Sequence, residues 1–461
     1  MAVSAAFMVP HPPIIVPDIG RGEEKKIQKT IDAYQITARK IASLKPKTIV
    51  LMSPHQVLYS DYFHISPGKS ASGNFAQFRA PQVQMEVQYD TEFVEQICKL
   101  ADTAHFPAGT EGERDRKLDH GTMVPLYFVN QYVKDYQLVR IGLSGLPLKM
   151  HYQLGQYIQE AAKLLSRTTV LIASGDLSHR LKEDGPYGYR KEGPEYDSRI
   201  MNVMGKAAFW ELFQFSEDFC EKAGECGHRS FTIMAGALDQ LKVEARALSY
   251  EGVFGVGYGL CSFMVSGDDA ERNFKEQFEE KERAKIAEQK EQEDDYVKLA
   301  RKTIESYVRT GEKIAVPDGL PQELYSRKAG VFVSIKENGN LRGCIGTIHA
   351  AQTSVAEEII ENAISAACRD PRFLPVRQEE LGELVISVDV LGDTEGIDTL
   401  DELDVKRYGV IVTKDHKRGL LLPNLDGIDT VEEQVAVARR KAGIGEEEEI
   451  ALERFEVIRH F

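Results

Sequence analysis

Paired cysteines are missing from this chain. Its six cysteines, Cys98, Cys220, Cys226, Cys261, Cys344 and Cys368, are scattered through 461 residues without a CxxC, which argues against a disulfide framework and for reduced thiols. Long apolar runs are lacking as well, since none approaches the roughly 20 residues that a bilayer span needs. The first residues carry no basic stretch, and Pro10-His11-Pro12-Pro13 interrupts them early, unlike a signal peptide. These absences lead us to expect a cytoplasmic protein. Positive charge is short, with 57 Lys and Arg against 72 Asp and Glu and a net charge of −15. That argues against a nucleic-acid or anionic-membrane surface as the general partner, although a local basic patch is compatible with it.

What the chain does have is length for two or three cores and a hydrophobic fraction of 42%, ordinary for soluble globular protein. Residues 23–44 have helical periodicity, with Ile27, Ile31, Tyr34, Ala38 and Ile41 on one face and Lys45-Pro46 at the end. An apolar run at 48–53 follows at once, an order that favours a parallel crossover. Residues 60–88 are polar and weakly alternating and suit an inserted loop or hairpin. Helices are expected at 90–101 and 152–165, a buried strand at 137–143, and two strands joined through glycines at 245–265. From 267 to 295 Asp, Glu, Lys and Arg dominate, with Phe274, Phe278 and Ile286 as sparse apolar anchors. We therefore expect an α/β domain with a mostly parallel central sheet at 1–266, a charged linker helix at 267–295, and a smaller α+β domain at 296–461. In the last, an Asn338-Gly339 turn signal and the stretch 414–418 mark two hairpins. Helices are expected there at 296–308, 354–368 and 430–442.

Three apolar runs each deliver a histidine just past their end: Ala5-Ala-Phe-Met-Val-Pro-His11, Thr48-Ile-Val-Leu-Met-Ser-Pro-His55 and Thr168-Thr-Val-Leu-Ile-Ala-Ser-Gly-Asp-Leu-Ser-His179. In open parallel sheets, ligands bind outside the carboxyl ends of the strands, so three strand-end histidines suggest one shared site. Two histidines plus one carboxylate form the facial triad that leaves open positions on non-haem Fe(II). Glu251, between Tyr250 and Gly252 in apolar strand text, is the candidate carboxylate, because a metal would explain an acid on a core-facing segment. A glutamate facing solvent from an edge strand fits the same spacing.

Met8-Val-Pro-His-Pro-Pro13, Met52-Ser-Pro-His55 and Ser174-Gly-Asp-Leu-Ser-His179 resemble the metal and catalytic signatures of the LigB-type class III extradiol dioxygenase superfamily and its Memo relatives, over residues 1–266. The resemblance implies His11, His55 and Glu251 as metal ligands and His179 as the acid or base. It also implies a second active-site histidine, His120, in Asp119-His120-Gly121. The implied activity is oxidation of a catechol-like aromatic substrate with Fe(II), or, with Zn²⁺, other chemistry at the same site. Cys226-Gly-His228 is similar to a Cys-Gly stretch of Memo proteins, which makes Cys226 an alternative thiolate ligand; a buried structural cysteine fits it too.

Leu341-Arg-Gly-Cys-Ile-Gly346, Asp370-Pro-Arg-Phe373 and Gly419-Leu-Leu-Leu-Pro423 resemble the AMMECR family, over residues 296–461. Cys344, between glycines and near Arg342, is a thiolate candidate there, against the plainer reading of a small residue in close strand packing. The combination of halves resembles the AmmeMemoRadiSam system, whose third component is a radical-SAM protein. No CxxxCxxC motif is present, so that component would be a separate chain. A scaffold with a vestigial cleft is a further reading, and an oligomer is left open.

Overall fold

A computed structural model describes residues 2–337, 340–425 and 427–461. The chain folds into two compact units, Met1–Glu279 and Glu280–Phe461. The division falls inside the charged helix Phe274–Gln292, in the stretch whose composition set it apart.

The first unit is built on strands β1 (Val3–Val9), β2 (Thr48–Ser53), β5 (Gln137–Gly142), β6 (Thr169–Ser174), β7 (Leu241–Glu251) and β8 (Tyr258–Asp268), with a side hairpin of β3 (Ser70–Phe75) and β4 (Ala80–Gln88). The sheet order is β5-β2-β6-β1-β8-β7. The first four run parallel, and β8 and β7 pair antiparallel beyond β1. Because β7 and β8 are consecutive and joined by a short Gly-containing turn, they return antiparallel; the earlier strands are separated by helices and can be parallel. β2 and β6 are buried at every position, as strands covered on both faces must be.

Helices cover both faces. α1 (Gln28–Leu44) and α3 (His120–Val129) pack on Ala5, Phe7, Ile49, Leu51 and Ile172 through Tyr34, Ile41, Val124 and Phe128. On the other face, Ala6, Met8, Val50 and Leu171 meet α2 (Thr91–Thr103), α4 (Leu148–Leu164), α5 (Glu192–Lys206) and α6 (His228–Ala237). α1 shows how directly sequence dictates this: Thr30, Ala33, Tyr34, Thr37, Ala38 and Ile41 form its buried stripe, and Lys45 closes it in the left-handed conformation just before Pro46.

α7 (Phe274–Gln292) follows β8, and the second unit adds α8 (Asp295–Thr310), α9 (Val355–Cys368) and α10 (Val431–Ala442). Its strands are β9 (Val331–Glu337), β10 (Asn340–Gly346), β11 (Leu384–Leu391), β12 (Glu395–Ile397), β13 (Tyr408–Lys414), β14 (Lys417–Leu421) and β15 (Ala451–His460). They form a seven-stranded antiparallel sheet ordered β10-β9-β11-β15-β13-β14, with β12 on β15. The Asn338-Gly339 signal lies outside the described residues, between β9 and β10. α8 and α9 cover Val333, Ile335, Ile386 and Val388, and α10 covers Val410, Val412 and Leu421. Among the described residues, no helix is long and apolar enough to cross a membrane.

Candidate metal centre

The three strand-end histidines meet because β2, β6 and β1 are neighbours whose ends are level: Met52 and Met8 both pair with Ala173. His11 lies two residues past β1 and is buried. Its backbone N–H donates to Asp176 Oδ1 at 2.7 Å, and its Nδ1 is 3.0 Å from Ser174 Oγ, whose hydroxyl donates to the Gly121 carbonyl at 2.6 Å. With Nδ1 occupied in this way, Nε2 is the nitrogen turned to the centre. His55 Nε2 stands 2.9 Å from it and Cys226 Sγ 3.6 Å.

One ligand atom from each of His11, His55 and Cys226 lies within 4.8 Å of the others. Imidazole nitrogens bind zinc at about 2.0 Å and thiolates at about 2.3 Å, which puts ligand atoms of one ion roughly 3 to 4 Å apart. The donor set therefore fits a metal. The His11 Nδ1–Ser174–Gly121 chain is the kind of outer contact that fixes the ring of a ligating histidine.

Glu251, the expected carboxylate, is not in this group. It ends the edge strand β7, and its carboxylate accepts from the Thr30 N–H at 2.8 Å and the Thr30 hydroxyl at 2.7 Å, so it serves the first turn of α1. The third ligand-type atom of the group belongs to Cys226. It reaches the histidines because the chain leaving β6 touches the loop before α6 backbone to backbone: a Cβ on Gly175 would stand 2.1 Å from Gly227 Cα. The Asp176 N–H then donates to Cys226 Sγ at 3.2 Å.

His120 and His179 stand beside this group on different sides. His120 opens α3, which Asp119 caps by accepting from the Thr122 N–H at 3.0 Å. Its ring lies 3.9 Å from His55 and 5.4 Å from Phe78, centroid to centroid. His179 Nε2 is 4.0 Å from Asp176 Oδ2, and its ring is 5.1 Å from the exposed ring of Tyr187. Burial lowers the pKa of His11, His55 and His179; it takes His120, together with its neighbour His55, to about 4. Burial also raises the Cys226 thiol and lifts Asp176 to about 7.

His55 and His120 line a cleft of about 1150 Å³ whose walls include Phe78 and Met85 of the side hairpin region, Arg114, Lys117 and Arg140. Arg140 is fully buried, donating to Ser66 Oγ and the Lys117 carbonyl at 2.8 Å each. Neither Phe78 nor Arg140 stood out in the sequence, because the hairpin that brings Phe78 over His120 is a long-range contact. Asp119 was the readable one, three residues ahead of Thr122 at a helix start.

The family model described as "Catalytic LigB subunit of aromatic ring-opening dioxygenase" matches residues 5–261. The chain belongs to the LigB family. A second model, AMMECR1, matches residues 297–460, so this LigB protein is a fusion of the two domains. A Clostridium acetobutylicum protein is 43% identical over 474 residues, covering 100% of this chain and 99% of its own. A Thermotoga maritima protein is 49% identical over 167 residues, 36% of this chain and 96% of its own. The crystal structure of an uncharacterized Pyrococcus horikoshii protein shows 36% identity and a TM-score of 0.34, over 36% of this chain and 88% of that one.

In the AMMECR1 domain Arg342, read as a neighbour whose guanidinium could favour a thiolate at Cys344, makes its hydrogen bonds elsewhere. Ile335 pairs with Gly343 and Lys336 with Leu341, which leaves Arg342 as the extra residue of a β-bulge and re-aims its side chain. It binds Glu380 (Nε to Oε1, 2.8 Å) and the Leu374 carbonyl (2.8 Å) instead.

Proposed function

We propose that the LigB domain is a metal-dependent oxidoreductase acting on a catechol-like aromatic, with Fe(II) held by His11, His55 and Cys226. The observation that carries this reading is the meeting of three ligand-type atoms at the end of a roomy cleft lined by His55 and His120. A bound metal would supply Lewis acidity and a template for the two oxygens of a catechol. The chain's own residues would do the rest. His120, neutral at pH 7 with its pKa near 4, has a lone pair with which to take a phenolic proton in the cleft. His179, neighbouring Asp176, is placed for a second proton transfer. Phe78 offers an aromatic edge beside His120 against which a flat ring can lie.

A second reading is favoured by one specific observation, the cysteine sulfur where an extradiol site would have a carboxylate. Soft sulfur and two imidazoles also suit Zn²⁺, and the protein would then be a non-dioxygenase metalloprotein, serving a separate radical-SAM chain in an AmmeMemoRadiSam-type system. Purification without oxygen, elemental analysis and oxygen uptake on a catechol panel separate the two. Stoichiometric iron with oxygen uptake supports the first reading; zinc with no uptake supports the second. Unchanged metal in His11→Ala/Cys226→Ser protein rules out this centre altogether. His179→Ala should abolish turnover with metal content intact.

A further inference from the structure

One buried acid of the LigB domain has no part in the proposed chemistry. Asp197, on α5, is 1% exposed, and burial lifts its pKa to about 6. A carboxylate in so dry a place is costly unless both oxygens find donors. Oδ1 accepts from the Ser178 N–H at 2.8 Å, and Oδ2 accepts from the hydroxyl of Tyr250, on β7, at 2.7 Å. Gly257 lies so close that a Cβ there would stand 2.0 Å from Oδ2. Asp197 therefore joins three pieces of chain: α5, the end of β7 and the segment that leaves β6.

That segment delivers His179. Ser178, the residue before it, is tied at every polar atom. Its carbonyl accepts from the Gly257 N–H at 2.8 Å, and its hydroxyl donates to the Ala223 carbonyl at 2.7 Å and accepts from the Arg180 N–H at 2.9 Å. The His179 N–H donates to the Gly224 carbonyl at 3.2 Å. All of these partners are backbone groups. Asp197 is the side chain that joins them, and it takes the Ser178 N–H.

Besides the Gly224 carbonyl, which favours its charged form, the imidazole of His179 has loose company. Its Nε2 stands 4.0 Å from Asp176 Oδ2, beyond hydrogen-bond length, and its aromatic neighbour Tyr187 is 63% exposed. The backbone beneath the ring therefore decides where it points. A proton-transfer group must stand within hydrogen-bond reach of its target, and a backbone shift of about 1 Å is enough to spoil that.

We infer that Asp197 is a positioning residue for His179, holding the Ser178 peptide so that the imidazole stays beside the metal centre. The inference rests on the reading of His179 as a proton-transfer group.

Diethyl pyrocarbonate, which carbethoxylates unprotonated imidazoles, tests it on the full-length, metal-free protein near neutral pH. Peptide mass spectrometry resolves each histidine, and His120 is the internal reference. Asp197→Leu keeps the bulk and removes both acceptors, so the His179-to-His120 rate ratio should rise about three- to tenfold as the segment opens. Asp197→Asn should restore the ratio, because its oxygen still accepts from the Ser178 N–H while its amide donates to the Tyr250 hydroxyl. Metal content after loading should be the same in all three proteins. If the protein turns over a catechol, Asp197→Leu should lower kcat on the order of tenfold at unchanged KM. Amide exchange in the unmodified protein, which needs no variant, should be slower at residues 177–181 than at 182–189. An unchanged ratio in Asp197→Leu, no restoration in Asp197→Asn, or equal exchange in the two segments would overturn the proposal. So would a rise of the same size at His228, which meets Tyr196 beside Asp197, since that would show general loosening of α5. A protein inactive on every catechol would remove the reading of the site, and the reactivity ratio would still decide whether Asp197 positions His179.

Discussion

At the residue scale, the exchange of Glu251 for Cys226 makes the sharpest claim. Glu251→Gln should leave metal content unchanged and cost about 1 kcal/mol of stability, because it weakens only the contacts with Thr30 in the first turn of α1. Ser174→Ala should do the reverse. It removes the partner of His11 Nδ1 and should weaken metal affinity about 10- to 100-fold with little change in fold, as read by competition with a metallochromic chelator. Equal metal loss in both variants would put the carboxylate back among the ligands. The histidines were legible because each follows an apolar run within two to five residues, and strand ends in a parallel sheet gather. Cys226 was legible only as an alternative ligand, through its resemblance, and not from its place in the chain. It precedes a helix, 215 residues from His11, and only the Gly175–Gly227 approach brings it in. Glu251 misled because an acid in apolar strand text has two uses, and capping α1 from an edge strand was the one taken.

At the scale of elements, that glycine contact ranks with the strands in building the centre. Gly175→Ala sets a methyl 2.1 Å from Gly227 Cα, backbone against backbone, so the loop carrying Cys226 must move. We expect a loss of about 1–3 kcal/mol together with reduced metal occupancy, measured by urea unfolding and elemental analysis on the same preparation. Gly236→Ala is the control. Its Cβ would meet the Tyr152 carbonyl oxygen at 1.9 Å where α4 crosses α6. It should destabilise by a similar amount and release less metal than Gly175→Ala, since α6 pivots beyond Cys226. Helices and strands themselves were largely readable from period and punctuation: the stripe of α1, the buried runs of β2 and β6, and the β13–β14 hairpin all stand where the pattern put them. What periodicity does not carry is register. The bulge at Arg342 moves a side chain that simple alternation leaves near Cys344 onto Glu380, and no count of apolar positions contains that step.

For the whole molecule, the two compact units should respond to acid differently. In the metal-free first unit, burial lowers the pKa of seven imidazoles: His11, His55, His64, His120, His151, His179 and His228. The unfolded chain takes up protons on all of them as pH falls through about 6.5, and the folded unit does so only at lower pH. Three buried carboxyls act the other way: Asp176 and Glu225, raised to about 7, and Asp197, raised to about 6, hold protons that the unfolded chain has already released. Seven imidazoles outnumber three carboxyls, so between the two ranges the unfolded state binds more protons and stability declines as pH falls below about 6.5. In the second unit, Arg372 holds Asp370 well below the ordinary carboxylate range. The stability this lends is present above the unfolded carboxylate pKa and is lost only as pH falls through the depressed value, below the window in which the imidazoles act. Calorimetry on chelator-treated protein should accordingly show two transitions, of which one shifts down between pH 7 and 5 while the other holds its place. Restoring the metal should raise only the acid-sensitive transition, because an ion bound to the folded imidazoles and thiolate stabilises the unit that binds it. An acid-sensitive transition that the metal leaves where it is would separate the histidine cluster from metal binding.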